Sequence, residues 1–411
     1  MRKRQLHIFA CVTAAVVLFA GISGAQPVEI DIIAAGDVTN WIQRNVAAFN
    51  AIYDREVIVN VKTIWGEEYV EELTLMGAAN VSYDVVQVNP GRNFHVFARN
   101  GLFLDLEPFI QRSGFDVAQI YPESLKNAQI DGRTYALAFA AHPGEAGVFY
   151  NTAHFDRMGI APPDPDWTFD DFAEIAFRLT ERTTDTGEPT VYGLKIPSYE
   201  AIAAAFGGLI VDGTWTEVVP NREGALMALD WLVNAHNRNV LTNESLTAGR
   251  AAMEINGPWF GIGVRQSLVA DSWDVAHFPI GPEGRITALA AWDGFAIPRT
   301  SKNPDVAWDF IRFMLSEAAL IDYAAMGGNP VANIQVNLIP DLLGMTGREV
   351  FIRALEAGQY VFSSPQEIQS MQQTYAGFTG PLLSGQMSPV EALDAMAREA
   401  ALILERLNGG Q

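Results

Sequence analysis

The tightest constraint on this chain lies in residues 28–88, where strand-like and helix-like patterns alternate without a linker. Val28 to Ala34 alternates apolar and acidic residues and reads as a strand. Trp41 to Ile52 follows with helical spacing, since Trp41, Val46, Phe49 and Ile52 can share one face. Val57 to Ile64 reads as a second strand, Tyr69 to Ala78 as a helix and Asp84 to Val88 as a third strand. A β-α-β-α-β order predicts an α/β layer on a mostly parallel sheet.

The alternation continues downstream. Thr168 reads as a helix N-cap with Asp171 three residues later, opening a helix that turns Phe172, Ile175, Ala176 and Leu179 to a core. Asn303-Pro304-Asp305 opens another, with Val306, Ala307, Phe310, Ile311 and Met314 on one stripe. Turns fall at Asn89-Pro90-Gly91, Pro162-Pro163, Gly257-Pro258 and Gly281-Pro282. None is long enough to be a domain linker, so two domains would be joined through strands or tight segments.

Arg2, Lys3 and Arg4 precede an apolar run from Ile8 to Ile22, and Ser23-Gly24-Ala25 supplies the small residues a signal peptidase reads. Cleavage before Gln26 is expected, leaving residues 1–25 as a signal peptide. The run is about 15 residues, short of the roughly 20 that span a membrane. The sole cysteine, Cys11, lies within it. Phe9 is bulky and most of the apolar run follows Cys11, so this is not read as a lipid-attachment site. The exported chain then has no disulfide, no thiolate nucleophile and no cysteine-ligated metal. Core burial alone must hold it, which nearly 400 residues can supply, usually as two domains.

The formal charge is −21, and loss of the three basic leader residues leaves −24. Such a surface repels nucleic acid and anionic lipid. No phosphate loop, dinucleotide fingerprint or nucleophile elbow is present outside the leader region. The remaining histidines, His95, His142, His154, His236 and His277, are never three or four residues apart, which excludes a metal site built from sequence neighbours. Glu67-Glu68, Glu71-Glu72 and Asp170-Asp171 read as solvated helix faces rather than a catalytic acid–base pair. What is abundant is aromatic residues in loops: Trp65, Tyr199, Trp215, Trp259, Phe260, Trp292 and Tyr375. Flat rings beside carboxylates and amides suit a sugar, whose faces are apolar and whose rim is hydroxyl.

Several stretches are more specific. Gly249-Arg250-Ala251-Ala252-Met253-Glu254-Ile255-Asn256-Gly257-Pro258-Trp259 resembles the G-x-A-A-M-x-x-x-G-P-W signature of bacterial extracellular solute-binding proteins of the sugar type, the group that includes maltose-binding protein. Gly294-Phe295-Ala296-Ile297-Pro298, Ser301-Lys302-Asn303-Pro304 and Ala307-Trp308-Asp309-Phe310-Ile311 resemble the next block of that family. Asn329-Pro330-Val331 is similar to its G-x-x-P-V turn. Upstream, Asp131-Gly132-Arg133-Thr134-Tyr135-Ala136-Leu137 with Phe149-Tyr150-Asn151, and Pro162-Pro163 with Trp167-Thr168, resemble two earlier blocks. The blocks stand in family order across nearly the whole exported chain. Ala138, Asn89 and His142-Pro143-Gly144-Glu145 depart from the family pattern and bear on which ligand is bound.

The resemblance implies a two-lobed periplasmic-binding-protein-like fold (type II), with two α/β lobes joined by three crossovers and closing by a hinge. Carried over by block, one lobe is 28–140 plus 292–330 and the other 141–291 plus 331–411. Positions similar to the family's ligand contacts are Asp37, Asn89, Arg92, His142, Glu145, Tyr199, Trp259, Trp292, Asp293 and Asn329. Trp259 and Tyr199 would stack on a ring, while Asp37, Asp293, Glu145 and Arg92 would hydrogen-bond hydroxyls. Asp37 equally suits an N-cap for the helix at Trp41, and Trp259 a packing role at the hinge. Trp167 is assigned to packing. The implied function is an exported, periplasmic, non-enzymatic binding component of an ABC importer. It would deliver a neutral sugar to the permease subunits, as a monomer and without cofactor or metal, at micromolar affinity, on the order of −8 kcal/mol. The rivals are the same scaffold holding a phosphorylated polyol or other small polar solute, with Arg92 and Arg265 as its candidate cations, and an exported glycan-acting hydrolase.

Overall fold

The computed structural model describes residues 26–78, 82–90, 94–182, 187–211, 217–357, 360–362 and 368–409. The expected signal peptide, Arg92 and Trp215 lie outside these residues. Fourteen strands among the described residues follow in chain order: β1 Val28–Ala34, β2 Val57–Thr63, β3 Val85–Val88, β4 Gln129–Ile130, β5 Arg133–Thr134, β6 Leu137–His142 and β7 Gly147–Asn151, then β8 Glu181–Arg182, β9 Pro189–Lys195, β10 Leu241–Thr242, β11 Ala251–Asn256, β12 Trp273–His277, β13 Thr287–Ala296 and β14 Tyr360–Phe362. They form two six-stranded sheets, apart from the small hairpin β4–β5.

The first sheet runs β14-β13-β3-β1-β2, with β6 also paired to β13. β1 pairs parallel with β2 and β3, as the opening alternation predicts, while β13 runs antiparallel to β3 and β6. Ile30, Ile32 and Ile33 on β1 are fully buried. The helix Gly36–Ile52 begins five residues before the expected Trp41 and seats that indole in the core, where its Nε1 donates to Ala319 O at 2.8 Å. A second anchor is Asp84, which is 5% exposed. Its carboxylate accepts from Ser301 Oγ at 2.6 Å, Lys302 N at 3.2 Å, Asn303 N at 3.0 Å and Asp31 N at 3.1 Å. That single side chain ties the turn ahead of the helix Pro304–Met314 to the middle of β1.

The second sheet runs β10-β9-β11-β7-β12, with β8 on β9. Against it lies the helix Phe169–Leu179, opened by the expected box: Thr168 Oγ1 accepts from Asp171 N at 3.2 Å and Asp171 Oδ2 from Thr168 N at 2.8 Å. Phe172, Ala176 and Leu179 are fully buried on it. Trp167 is 3% exposed and donates Nε1 to His277 O, so its packing role holds.

Each sheet has its own core, and a smaller third cluster joins Phe149 and Val275 to Val350 and Phe351. The chain leaves the first sheet after β6, enters the second at β7, and returns through β13. These passages meet where Thr287 Oγ1 donates to Pro143 O at 2.7 Å. The expected boundaries differ from this packing. β6 reaches His142, β13 starts at Thr287, and Val331, Ala332, Val336, Leu342 and Leu355 belong to the first core although 331–411 was expected with the second lobe. The backbone after Pro330 stays there because Ala332 N bonds Phe139 O and Ala141 N bonds Pro330 O beside β6. Tyr375 and Leu382 of the helix Ile368–Leu383 are back in the second core. No helix among the described residues is long and apolar enough to cross a membrane.

Candidate functional site

The polar centre between the two sheets is Asp293, on β13, a buried residue 8% exposed. β-strand neighbours face opposite ways, so Trp292 turns into the first core and Asp293 turns out of it. The pairing of β13 with β6 also shifts register between Asp293 and Gly294, a bulge that re-aims the side chain at this point. Asn89 Nδ2 donates to Asp293 Oδ1 at 2.9 Å and Asn329 Nδ2 to Oδ2 at 3.3 Å. Gln87 adds its amide to the same carboxyl, while its Oε1 accepts from Ala35 N at 2.8 Å. The ends of β1 and β3 thereby converge on one residue, as open α/β sheets commonly arrange their ligand crevices.

Burial pushes the Asp293 carboxyl up to about 6, against the pull of the Asn89 hydrogen bond, and the charge of Asp37 adds to the rise. Asn329 Oδ1 and His142 Nδ1 are buried without a hydrogen-bond partner. Burial pushes His142 down to about 3, so its imidazole is neutral. Tyr323, fully enclosed behind the cluster, has its hydroxyl raised by burial and by the charges of Asp37 and Asp293.

Facing this cluster from the second sheet stands Trp259, 38% exposed, with its ring centroid 5.0 Å from that of His142 in an edge-to-face contact. Its six-membered ring lies across Gly257, where an added Cβ would come within 2.1 Å of it. Only glycine there lets the indole lie flat against the backbone. Glu145 follows in the first passage between the sheets; Ser198 Oγ donates to its Oε2 at 3.1 Å, and burial pushes the acid up to about 7. Glu200, raised to about 8 by burial with a small push from Glu145, leaves Oε1 without a partner. Lys195 is held in an ion pair: its Nζ lies 2.7 Å from the buried Glu254, which also accepts from Ser245 Oγ and Leu246 N. The wall therefore offers mostly neutral or weakly ionised acceptors, amide donors and one flat ring. That set can bond hydroxyls and stack on an apolar face.

The geometry gathers Asn89, His142, Trp259, Asp293 and Asn329, with Glu145 beside them, and corrects three expectations. Tyr199 is no platform: it is 2% exposed in the second core, and its hydroxyl donates to Gly208 O at 2.5 Å. Trp292 is fully buried against Phe94, with ring centroids 5.0 Å apart. Asp37 is not a cap, because that position falls on Ala35; Asp37 sits exposed in the first turn, close enough to act on Asp293. Gln87 and Tyr323 match no motif. Gln87 was nevertheless readable, because it lies two residues before Asn89 and so shares its face of the strand. Among the described residues, no cluster of His, Cys, Asp and Glu could hold a metal ion.

A family model described as bacterial extracellular solute-binding protein matches residues 35–321. A probable ABC transporter-binding protein of Deinococcus radiodurans is 26% identical over 221 residues, which is 48% of this chain and 51% of that protein. The chain thus spans about half the length of this curated relative. Similar solved structures include an ABC substrate-binding protein of Listeria monocytogenes in complex with cycloalternan, at TM-score 0.79 and 21% identity, covering 93% of this chain and 100% of that one. A solute-binding protein of Thermotoga lettingae bound with α-D-tagatose gives TM-score 0.76 at 19% identity, covering 92% and 100%. One of Agrobacterium vitis with bound D-mannitol gives 0.71 at 19%, covering 93% and 99%. The fold is accordingly the two-lobed one of such proteins.

Proposed function

The chain belongs to the bacterial extracellular solute-binding proteins, and on that premise we propose that it captures a neutral sugar or polyol between its lobes for an ABC importer. The observation that carries this reading is the Asp293 carboxylate, held by Asn89 and Asn329 and faced by the half-exposed Trp259. A carboxylate with amide neighbours takes hydroxyls at the ring's edge, and the indole takes its C–H face. Glu145 and Asn329 Oδ1 extend the acceptors on either side, and Asp37 adds one more at the rim. The solutes named with the related structures, cycloalternan, tagatose and mannitol, are all rich in hydroxyls.

In this reading one lobe comprises 28–142 with 287–342, the other 143–286 with 368–409. The helix Arg348–Ala357 lies between, giving Leu355 to the first core and Phe351 to the third cluster. The lobes close on the solute by a hinge motion, and the closed pair presents its outer face to the permease. The protein acts outside the cytoplasm after removal of residues 1–25, as a monomer that binds without turnover.

The deciding experiment is thermal unfolding of the purified chain against sugars, polyols and amino acids, with each solute recovered and checked for chemical change. A sugar at about a hundred times its Kd should add roughly 2.7 kcal/mol. The gain should vanish in Asp293→Ala. Stabilisation by amino acids alone, or consumption of the solute, would overturn the reading.

A further inference from the structure

Beside the sugar-facing cluster lies a narrow, partly open cleft that the proposed function does not use. It opens between the lobes and is lined by Pro258, Trp273, Gly328, Thr346 and two arginines, Arg265 and Arg348. In a chain with 48 acids against 27 bases, two guanidiniums share this space and neither forms an ion pair with a described carboxylate. Their described partners are neutral oxygens. Arg265 donates to Gly327 O at 2.6 Å and lies 5.2 Å above the Trp273 ring, while Arg348 donates to Asn337 Oδ1 at 3.0 Å. Arg348 is 5% exposed, and its Nε has no hydrogen-bond partner.

Burying an unpaired charge is costly unless an opposite charge joins it. Burial pushes Arg348 down to about 10 and lowers Arg265, and the charge of Arg265 disfavours that of Arg348 as well. The backbone is shaped around the pair. Gly327 has φ +80°, and a Cβ there would come within 2.5 Å of the Arg265 guanidinium. Thr346, Gly347 and Arg348 also lead into the ten-residue helix Arg348–Ala357, whose N-terminus carries partial positive charge.

We propose that Arg265 and Arg348 form an oxyanion site between the lobes, taking a phosphate, sulfate or carboxylate group on two guanidinium forks. Arg348 reaches it from the side of the first core, through Asn337, and Arg265 from the helix Phe260–Val264 beside the third cluster. A bound oxyanion therefore ties the two sides of the hinge together. Its source is either a free inorganic ion or an anionic group on the transported solute. The second case rests on the proposed function; the first does not.

The test compares sodium phosphate and sodium sulfate with sodium chloride at matched ionic strength, on the whole chain without sugar. The wild type should gain about 2–4 °C in Tm at saturating phosphate or sulfate. The gain should disappear in Arg265→Gln, whose half-buried side chain can be removed without emptying a core, and persist in part in Arg265→Lys. Arg348→Gln should behave like Arg265→Gln where it folds. In a second arm, a sugar phosphate and the corresponding neutral sugar are titrated calorimetrically in chloride. An advantage of at least about tenfold for the phosphate ester, lost in Arg265→Gln, places the anion on the solute. Independent binding of neutral sugar and phosphate places it in solution. No stabilisation by phosphate, sulfate or the ester, or stabilisation that survives in Arg265→Gln, would overturn the site. Failure of every neutral sugar with a positive phosphate arm would overturn the sugar reading alone.

Discussion

His142 Nε2 stands 3.9 Å from Asp293 Oδ2 and has no charge to offer it. Burial disfavours the charged form of each, holding the imidazole down to about 3 and the carboxyl up to about 6. The contact is one between a desolvated base and a reluctant acid.

This sets opposite pH dependences. Asp293 has its folded value raised above the ordinary 3.8, so its contribution to stability is full below about pH 4 and lost as pH rises through about 6. His142 is depressed below 6.5, so its contribution is present above pH 6.5 and lost as pH falls toward 3. In Asp293→Asn only the histidine half remains of this pair. Between pH 6.5 and 4 the urea midpoint of the variant should fall more steeply on acidification than that of the wild type. Parallel profiles would mean that Asp293 titrates normally.

Removing the Trp259 ring should separate binding from stability. Trp259→Ala is expected to weaken sugar binding by roughly 10–100-fold, from lost stacking and apolar contact. The melting temperature without ligand should change little, because the ring is 38% exposed. Calorimetric titration beside a ligand-free melt checks both halves.

Tyr199→Phe should do the reverse. It removes the hydroxyl bond to Gly208 O in the second core and should cost about 0.5–1.5 kcal/mol of stability. Sugar affinity should stay within about twofold, since so small a change is a fraction of 1 kcal/mol. A tenfold loss of affinity in this variant would return Tyr199 to the binding wall.

Asp84→Ala strands the donors of Ser301, Lys302, Asn303 and Asp31 at one point. A loss of about 2–4 kcal/mol by chemical denaturation is expected. Asp84→Asn should retain part of it, because an amide oxygen still accepts.

The sequence made the α/β order and the two-lobed plan legible because both are written in periodicity and ordered motifs. Facing was harder to read. Trp292 and Asp293 came as one motif, yet adjacent strand residues cannot both line a cleft, and Trp292 is the one taken by the first core. Tyr199 begins a helix, Tyr199–Ala203, whose Ala201, Ile202 and Ala203 are all fully buried. The alanine-rich segment after Ser198 signals this burial. The path after Pro330 was not readable, because it depends on backbone bonds to β6 made from nearly two hundred residues away. Likewise Arg348 meets Arg265 only in three dimensions.

The bond from Thr287 to Pro143 ties the start of β13 to the residue just past the end of β6, where the chain passes between its lobes. His142 is the last residue of β6 and Asp293 sits inside β13. Two of the groups proposed to read the solute, His142 and Asp293, therefore ride on the axle, while Trp259 stands on the wall that faces it.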